Sequence, residues 1–310
     1  MSKTTPTQSE RIARFLPGLN YSKIGLYLLV MFFFAFFISP VWTGFVTAFK
    51  TTGSVASTLP FLPPGPEGFT LQNWTTAIEY LSTGLANSLI MTVPATIACV
   101  FLGSTAAYGL TLTDWDERIQ FGVLLLFIFG IFIPYQAVLV PLSDFWINIA
   151  NVDGVFAFLG ALPFFTERHS RLVAVTITHV VYGIPICLLL FRGYYMSLSD
   201  ELVEAAKIDG ASITSIYRRI VLPLSKPMIG VVFIYQFTMI WNEFLFSLTL
   251  IGSSSSPAAT VTLVLSGLGS DLSGVDFGLR MAGAFVAALP TLIIYILFAE
   301  QFAEGLASDT

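Results

Sequence analysis

Long apolar runs separated by short polar segments dominate the chain. A helix that crosses a membrane needs about 20 consecutive, mostly apolar residues. Runs of this length lie at about Ile24 to Phe49, Leu85 to Leu112, Phe121 to Ile147, Leu172 to Phe191, Met228 to Ile251 and Leu279 to Phe302. The pattern predicts an all-α bundle of six transmembrane helices over residues 24–306, with tails at 1–23 and 307–310.

Two features interrupt this pattern. Six prolines fall inside the predicted spans, and we expect kinks there rather than helix ends, because neighbouring helices satisfy the backbone groups that proline frees. They are Pro40, Pro94, Pro134, Pro141, Pro185 and Pro290. A further apolar stretch, Val155 to Phe165, is too short to span a membrane, which favours an interfacial or re-entrant segment.

The composition narrows the class of protein. Hydrophobic residues make up 55% of the chain and charged residues only 11%, whereas soluble domains contain roughly 25% charged residues. This composition excludes a soluble enzyme, a disordered scaffold and a basic nucleic-acid binder. It indicates a protein that lies within membrane lipid. The two cysteines, Cys99 and Cys187, both lie in apolar runs, which argues against a disulfide framework or a metal site.

The distribution of basic residues predicts the orientation. With both termini inside the cell, the inner segments hold ten Lys and Arg residues and the outer segments hold four. Positive charge accumulates on the cytoplasmic side of membrane proteins. We therefore expect a multi-pass protein of the cell membrane with cytoplasmic termini, an inner loop at 192–227 and outer loops at 51–84 and 252–278.

The inner loop has the pattern of two short helices. Ser199 is a good N-cap, and Leu198, Leu202, Ala205 and Ile208 form one apolar stripe. Gly210 suits the left-handed turn that ends a helix. A second stripe runs to Ile220 and ends at Leu222-Pro223, so the loop predicts a hinged helical element that docks into a groove on a soluble partner.

The same loop resembles a known motif. Glu204-Ala205-Ala206, then Gly210, Ile220 and Leu222-Pro223, is similar in residues and spacing to the EAA motif of binding-protein-dependent ABC importer permeases. The flanking residues Ile208, Asp209 and Gly210, with Trp241-Asn242-Glu243 in the fifth span, resemble the carbohydrate permeases of the maltose-transporter class. Residues 152–168 look like an insertion relative to that family.

The resemblance implies a type I ABC importer permease that imports sugar. It implies that Glu204, Ala205, Ala206 and Ile208 sit on a coupling helix, seated in a cleft of a separate ATPase. No G-x-x-x-x-G-K-S/T phosphate loop occurs in the chain, which fits a subunit that is not itself an enzyme and binds no cofactor. ATP and Mg would be bound by the partner. The implied partners are two ATP-binding subunits, a homologous second permease in a heterodimer and an extracellular solute-binding protein.

Polar residues inside the predicted spans are candidates for the sugar path, because such residues are costly in a membrane. They are Tyr135, Gln136, Tyr235, Gln236, Trp241, Asn242 and Glu243. Packing or interface roles compete with sugar contact for each of them. In the outer loop, Ser253, Ser254, Ser255 and Ser256 form a slim polar tip that the resemblance assigns to contact with the binding protein; a plain hairpin is the alternative.

Two other classes of membrane protein are alternatives to this interpretation. An ion-coupled secondary transporter needs intramembrane charged pairs and usually an internal repeat, but only Asp144 and Glu243 are candidates. A membrane-embedded enzyme needs a nucleophile with a base or a metal cluster, and neither an H-E-x-x-H nor a G-x-S-x-G motif is present.

Overall fold

The fold, described here from a computed structural model, is a bundle of helices. The structure describes residues 21–301 except 164, 167, 168, 199, 272 and 273. The α-helices are α1 Tyr21–Ala48, α2 Thr52–Ser57, α3 Gln72–Leu112, α4 Glu117–Phe132, α5 Tyr135–Asp144, α6 Val152–Val155, α7 Ser170–Tyr195, α8 Asp200–Ile208, α9 Ile213–Ile216, α10 Leu222–Leu224, α11 Lys226–Trp241, α12 Leu245–Leu250, α13 Val261–Gly267 and α14 Phe277–Leu297.

Shorter elements complete the chain. The segments Pro66–Gly68 and Ala157–Ala161 are 3₁₀ turns, and Phe145–Ile149 and Tyr217–Val221 are π-helical. Strands β1 Ser270–Asp271 and β2 Gly274–Val275 form one antiparallel hairpin, in which Ser270 pairs with Val275. The predicted all-α class is therefore confirmed, with a two-residue ribbon as a minor addition.

Four helices among the described residues are long and apolar enough to cross a membrane, and bent helix pairs bring the number to six if each pair is one span. The first, fourth and sixth predicted spans match α1, α7 and α14 to within a few residues. The second span was predicted to begin at Leu85, but α3 begins at Gln72 and has 41 residues. Its first turns are more polar, so hydropathy alone placed the start too late.

The third span is broken rather than kinked. Helices α4 and the Tyr135–Ile149 segment meet at 95°, and Pro134 stands between them. The prediction of a kink at Pro134 is wrong, because proline disfavours helical conformation in the residue before it, and Ile133 is extended. The other five prolines lie inside helices, as predicted.

The fifth span is also interrupted. A continuous helix was predicted from Met228 to Ile251, but α11 ends at Trp241 and α12 begins at Leu245. The carboxylate of Glu243 accepts hydrogen bonds from the backbone N–H groups of Leu245 and Phe246, the latter at 3.0 and 3.1 Å. An acceptor at this position satisfies the free donors of a new helix start, which explains the break.

The core lies along α3, which packs against α7, α11, α13 and α14. Helices α3 and α7 approach each other closely at Gly103, where an added Cβ would overlap the Cβ of Cys187 and lie 3.0 Å from the backbone nitrogen of Leu188. Apolar side chains such as Leu81, Met91, Leu188 and Phe237 fill the interior. This dense packing makes α3 and α7 the rigid centre on which the other elements are arranged.

The apparent insertion is docked at the N-terminus of α7. Arg171 bonds both carboxylate oxygens of Asp153, with Nη2 2.8 Å from Oδ2, and the Ser170 hydroxyl donates to Oδ1 at 2.8 Å. The hydrogen bonds from Arg171 hold the pKa of Asp153 below its ordinary value of 3.8. The stretch predicted as too short to span, Val155 to Phe165, contains only short helical turns among its described residues.

Candidate functional site

The loop at 192–227 folds as the sequence predicts, into helical segments hinged at Gly210. Helix α8 ends with hydrogen bonds from Ala211 N–H to the Ala206 carbonyl and from Gly210 N–H to the Lys207 carbonyl, both 3.0 Å. Gly210 has φ +76°, a left-handed conformation that favours glycine at a helix end. The proposed N-cap, Ser199, lies outside the described residues.

The two faces of α8 have different environments. Val203 and Ala206 are buried against the bundle, with 6% and 9% of their surface exposed. Glu204 and Ala205 are exposed, and so is Ile208, at 85%. The predicted apolar stripe is therefore the outward face, with Leu202 half exposed. Such a face is unusual for a helix with no partner, because apolar residues normally face the core.

The residues of the EAA-like motif thus divide into two groups. Glu204, Ala205, Ile208, Asp209 and Gly210 point to solvent, whereas Ala206 packs inward. In the second half of the loop, Ile220 and Leu222 are half-buried and Pro223 is exposed. The helical path continues to Leu224 rather than ending at Leu222-Pro223, because Pro223 occupies the first turn of α10, where no backbone donor is needed.

Hydroxyl groups tie this loop to the centre of the bundle. The Ser104 hydroxyl in α3 lies 2.6 Å from the Tyr195 hydroxyl in α7 and 2.8 Å from the Tyr217 hydroxyl in the loop. The Tyr108 hydroxyl donates to the Ile213 carbonyl at 2.9 Å. The second half of the loop is therefore fastened to α3, and Ser104 joins it to α7 through Tyr195.

Sequence reasoning missed this hydroxyl network. Ser104, Tyr108 and Tyr195 are polar residues near the ends of apolar runs, and that was the only available signal. Their partners are distant in the chain, since Tyr217 is 113 residues from Ser104. Polar residues near span ends are common for other reasons, so their pairing required the fold.

Three of the predicted path residues are packed inside the bundle. Trp241 donates its indole N–H to the Ala287 carbonyl at 2.9 Å and stacks on Phe237. The Gln236 side chain lies against Cys187, whose Sγ is 3.7 Å from Oε1. Glu243 caps α12, and its Oε2 lies 3.7 Å from Nε2 of His179. In this conformation all three hold helices together.

The remaining path residues are more accessible. Gln136, Tyr235 and Asn242 are exposed, and Tyr135 is half-buried. The Tyr135 ring contacts the rings of Phe246 and Tyr182, with centroids 4.9 and 5.1 Å apart. These contacts bring residues from the two broken spans and from α7 together.

The serine loop has an exposed tip and an anchored base. Ser253, Ser254 and Ser255 are exposed and Ser256 is half-buried. At the base, the Asn87 amide donates to the carbonyls of Pro257 and Ala259 at 2.8 and 2.9 Å. The tip is thus presented by a fixed support rather than by a long flexible loop.

The helical membrane fold and the EAA-like helix α8, with its solvent-exposed face, together define the permease subunit of an ABC importer. The chain belongs to the family described as binding-protein-dependent transport system inner membrane component, whose model matches residues 100–302. The match covers the loop at 192–227 and both broken spans.

Curated relatives and solved structures agree with this assignment. The xylose/arabinose import permease protein XacI of Haloferax volcanii is 56% identical over 310 residues, which is 100% of both chains. The arabinooligosaccharides transport system permease protein AraQ of Bacillus subtilis is 26% identical over 94% of this chain and 97% of its own. A bacterial ABC transporter involved in import of alginate has a similar fold, with a TM-score of 0.66 at 18% identity, covering 97% of this chain and 100% of that one.

Proposed function

We propose that this chain is the membrane-spanning subunit of an ATP-driven sugar importer whose substrate is a pentose. The observation that carries the ATP-driven part is the exposed face of α8, where Glu204, Ala205 and Ile208 lie free for a partner. The pentose is supported by the 56% identity, over the full length of both chains, to a xylose/arabinose import permease. The family leaves the ion-coupled alternative without support.

The proposed assembly contains this chain, a homologous second permease, two ATP-binding subunits and an extracellular solute-binding protein. ATP and Mg would be held by the ATP-binding subunits, which supply the chemical energy. Glu204 would offer a carboxylate to a basic or amide group of the ATPase, and the small Ala205 would permit close approach. The hydroxyl contacts of Ser104 would pass the movement of α8 to α3 and α7.

The proposed sidedness places α8 in the cytoplasm, together with both termini. The ten-to-four distribution of basic residues supports this orientation. It places the Ser253–Ser256 tip outside, where it would meet the binding protein. It also places the docked segment around Asp153 and Arg171 on the outer surface.

Uptake by the purified complex tests this proposal. Proteoliposomes with both permeases and the ATPases are given external binding protein, internal ATP and radiolabelled xylose or arabinose. We expect uptake that requires ATP and the ATPase subunits and that is unaffected by proton or sodium ionophores. Uptake that persists without the ATPases and collapses with an ionophore would show a secondary transporter instead.

A further inference from the structure

We propose that a polar pocket between the outer halves of the third and fifth spans holds an uncharged sugar on its way into the bundle. This inference rests on the proposed function and adds to it a site and a preference for uncharged over acidic sugars. The pocket has a volume of about 420 Å³ and is lined by Leu139, Val140, Ser143, Asp144, Asn148 and Thr249. Ligand pockets for small molecules usually measure about 300–1,000 Å³.

The two helix breaks create this pocket. After the 95° bend at Pro134, the Tyr135–Ile149 segment runs in a new direction and packs against α12, which begins after the break at Glu243. Five lining residues come from the first segment, and Thr249 comes from α12. This packing places Thr249 beside the polar side chains of the Tyr135–Ile149 segment.

The polar lining suits a sugar. The Asn148 amide donates to Asp144 Oδ1 at 2.9 Å, which fixes both side chains and leaves acceptors and a donor for a ligand. Ser143 and Thr249 add hydroxyl groups to the lining. Exposed polar groups such as Asp144 are costly against lipid, so this face meets water, solute or protein.

Aromatic residues lie close to the pocket along α5. Tyr135, Leu139 and Ser143 lie four residues apart on one face of α5, so Tyr135 is about one turn from the lining residue Leu139 and two turns from Ser143. The Tyr135 ring contacts Phe246 and Tyr182. A sugar leaving the pocket would pass from hydroxyl and amide groups to ring faces, which stack on the apolar face of a sugar.

The charge of the pocket selects against acidic sugars. Its lining has one carboxylate, that of Asp144, and no Lys or Arg. The nearby Arg171, whose Nη1 lies 3.5 Å from the Leu250 carbonyl, is paired with Asp153. A neutral pentose can hydrogen-bond to Asp144, whereas a sugar carboxylate is repelled by it.

Cysteine protection in the complete complex tests the inference. The native Cys99 and Cys187 are fully buried, so Ser143→Cys provides one accessible thiol for a neutral maleimide. The complex is held in its ATP-bound state with binding protein, and labelling is compared with no sugar, with xylose and with xylonate. The exposed Ser57→Cys, outside the pocket, is the matched control.

We expect xylose to slow the labelling of Ser143→Cys severalfold and to leave Ser57→Cys unchanged. Xylonate should protect about threefold less well than xylose, as expected for two like charges several ångströms apart in a watery pocket. Asp144→Asn should remove this difference. Asn148→Cys serves as the second labelling position if Ser143→Cys does not assemble.

The outcomes separate the two proposals. Absence of ATP-driven xylose uptake by the wild-type complex overturns the proposed function, and this inference with it. Normal uptake with no labelling at either position, or with labelling that xylose does not slow, overturns the pocket alone. Equal protection by xylose and xylonate overturns the preference for uncharged sugars.

Discussion

Ala205 and Ala206 are neighbours in the chain but face opposite ways, and this difference yields a matched pair of variants. Ala205→Leu adds bulk to the exposed face, so we expect reduced recovery of the ATPase with the permease and an unchanged unfolding temperature of the permease itself. Ala206→Leu overpacks a buried position, which typically costs roughly 1–3 kcal/mol, so it should lower that unfolding temperature. Co-purification and thermal unfolding measure the two effects; identical behaviour of the variants would contradict the assigned faces.

The ion pair of Asp153 and Arg171 should make the stability of the segment docked at the start of α7 depend on pH. The pKa of Asp153 is lowered in the folded state by the hydrogen bonds from Arg171. Its contribution to the free energy of unfolding is therefore present above the unfolded-state pKa, about 3.9, and is lost as pH falls through the folded-state pKa.

We predict that Asp153→Asn lowers the unfolding temperature of the purified complex modestly at pH 7, because both side chains are partly exposed. The difference from wild type should shrink as the pH falls below about 4 and Asp153 becomes protonated. Glu79→Gln, an exposed carboxylate change elsewhere, is the control. A difference that is constant from pH 7 to pH 3 would show that the ion pair is not its source.

Helix α8 ends in a turn that only a few residues can adopt. Gly210→Val forces a β-branched residue into a left-handed conformation, at a cost of roughly 1–2 kcal/mol. An added Cβ at Gly210 would meet no atom within 4 Å, so the strain is in the backbone alone. We predict that Gly210→Val lowers ATP-driven uptake. Either ATP hydrolysis continues without transport, or the ATPase no longer assembles with the permease. Gly210→Asn, which tolerates this conformation better, should retain more uptake; normal transport by Gly210→Val would exclude the hinge.

At the scale of elements, the sequence predicted those helices and turns whose structure depends on the local pattern of residue types. The α8 helix and the turn at Gly210 followed from apolar spacing and from a residue type. The breaks at Pro134 and Glu243 did not, because both lie inside apolar runs and hydropathy does not distinguish a broken span from a straight one. The contacts of Ser104 and the pocket at Ser143 join segments far apart in the chain, so no local pattern reveals them.

At the scale of the whole molecule, the serine tip and α8 lie on loops at opposite ends of the spans in the proposed topology. Ser255→Trp adds bulk at the exposed tip, and we predict lost uptake with normal assembly and normal basal ATPase activity. A change at the base of the serine loop should have a second effect. Asn87→Ala removes the hydrogen bonds to Pro257 and Ala259, so we expect it to lower the stability of the protein as well as uptake. Unchanged uptake by Ser255→Trp would leave the serine loop as a plain hairpin.

The central claim is that the exposed face of α8 seats in the ATPase, and site-directed photo-cross-linking tests it most directly. A photoreactive maleimide is attached to Ile208→Cys in the permease before the ATPase is added; without its partner Ile208 is 85% exposed, and both native cysteines are buried. We predict a cross-link to the ATP-binding subunit from Ile208→Cys and none from Ser57→Cys, which is equally open to the maleimide but lies on the outer side in the proposed topology. No cross-link from Ile208→Cys, or an equal yield from both positions, would contradict it.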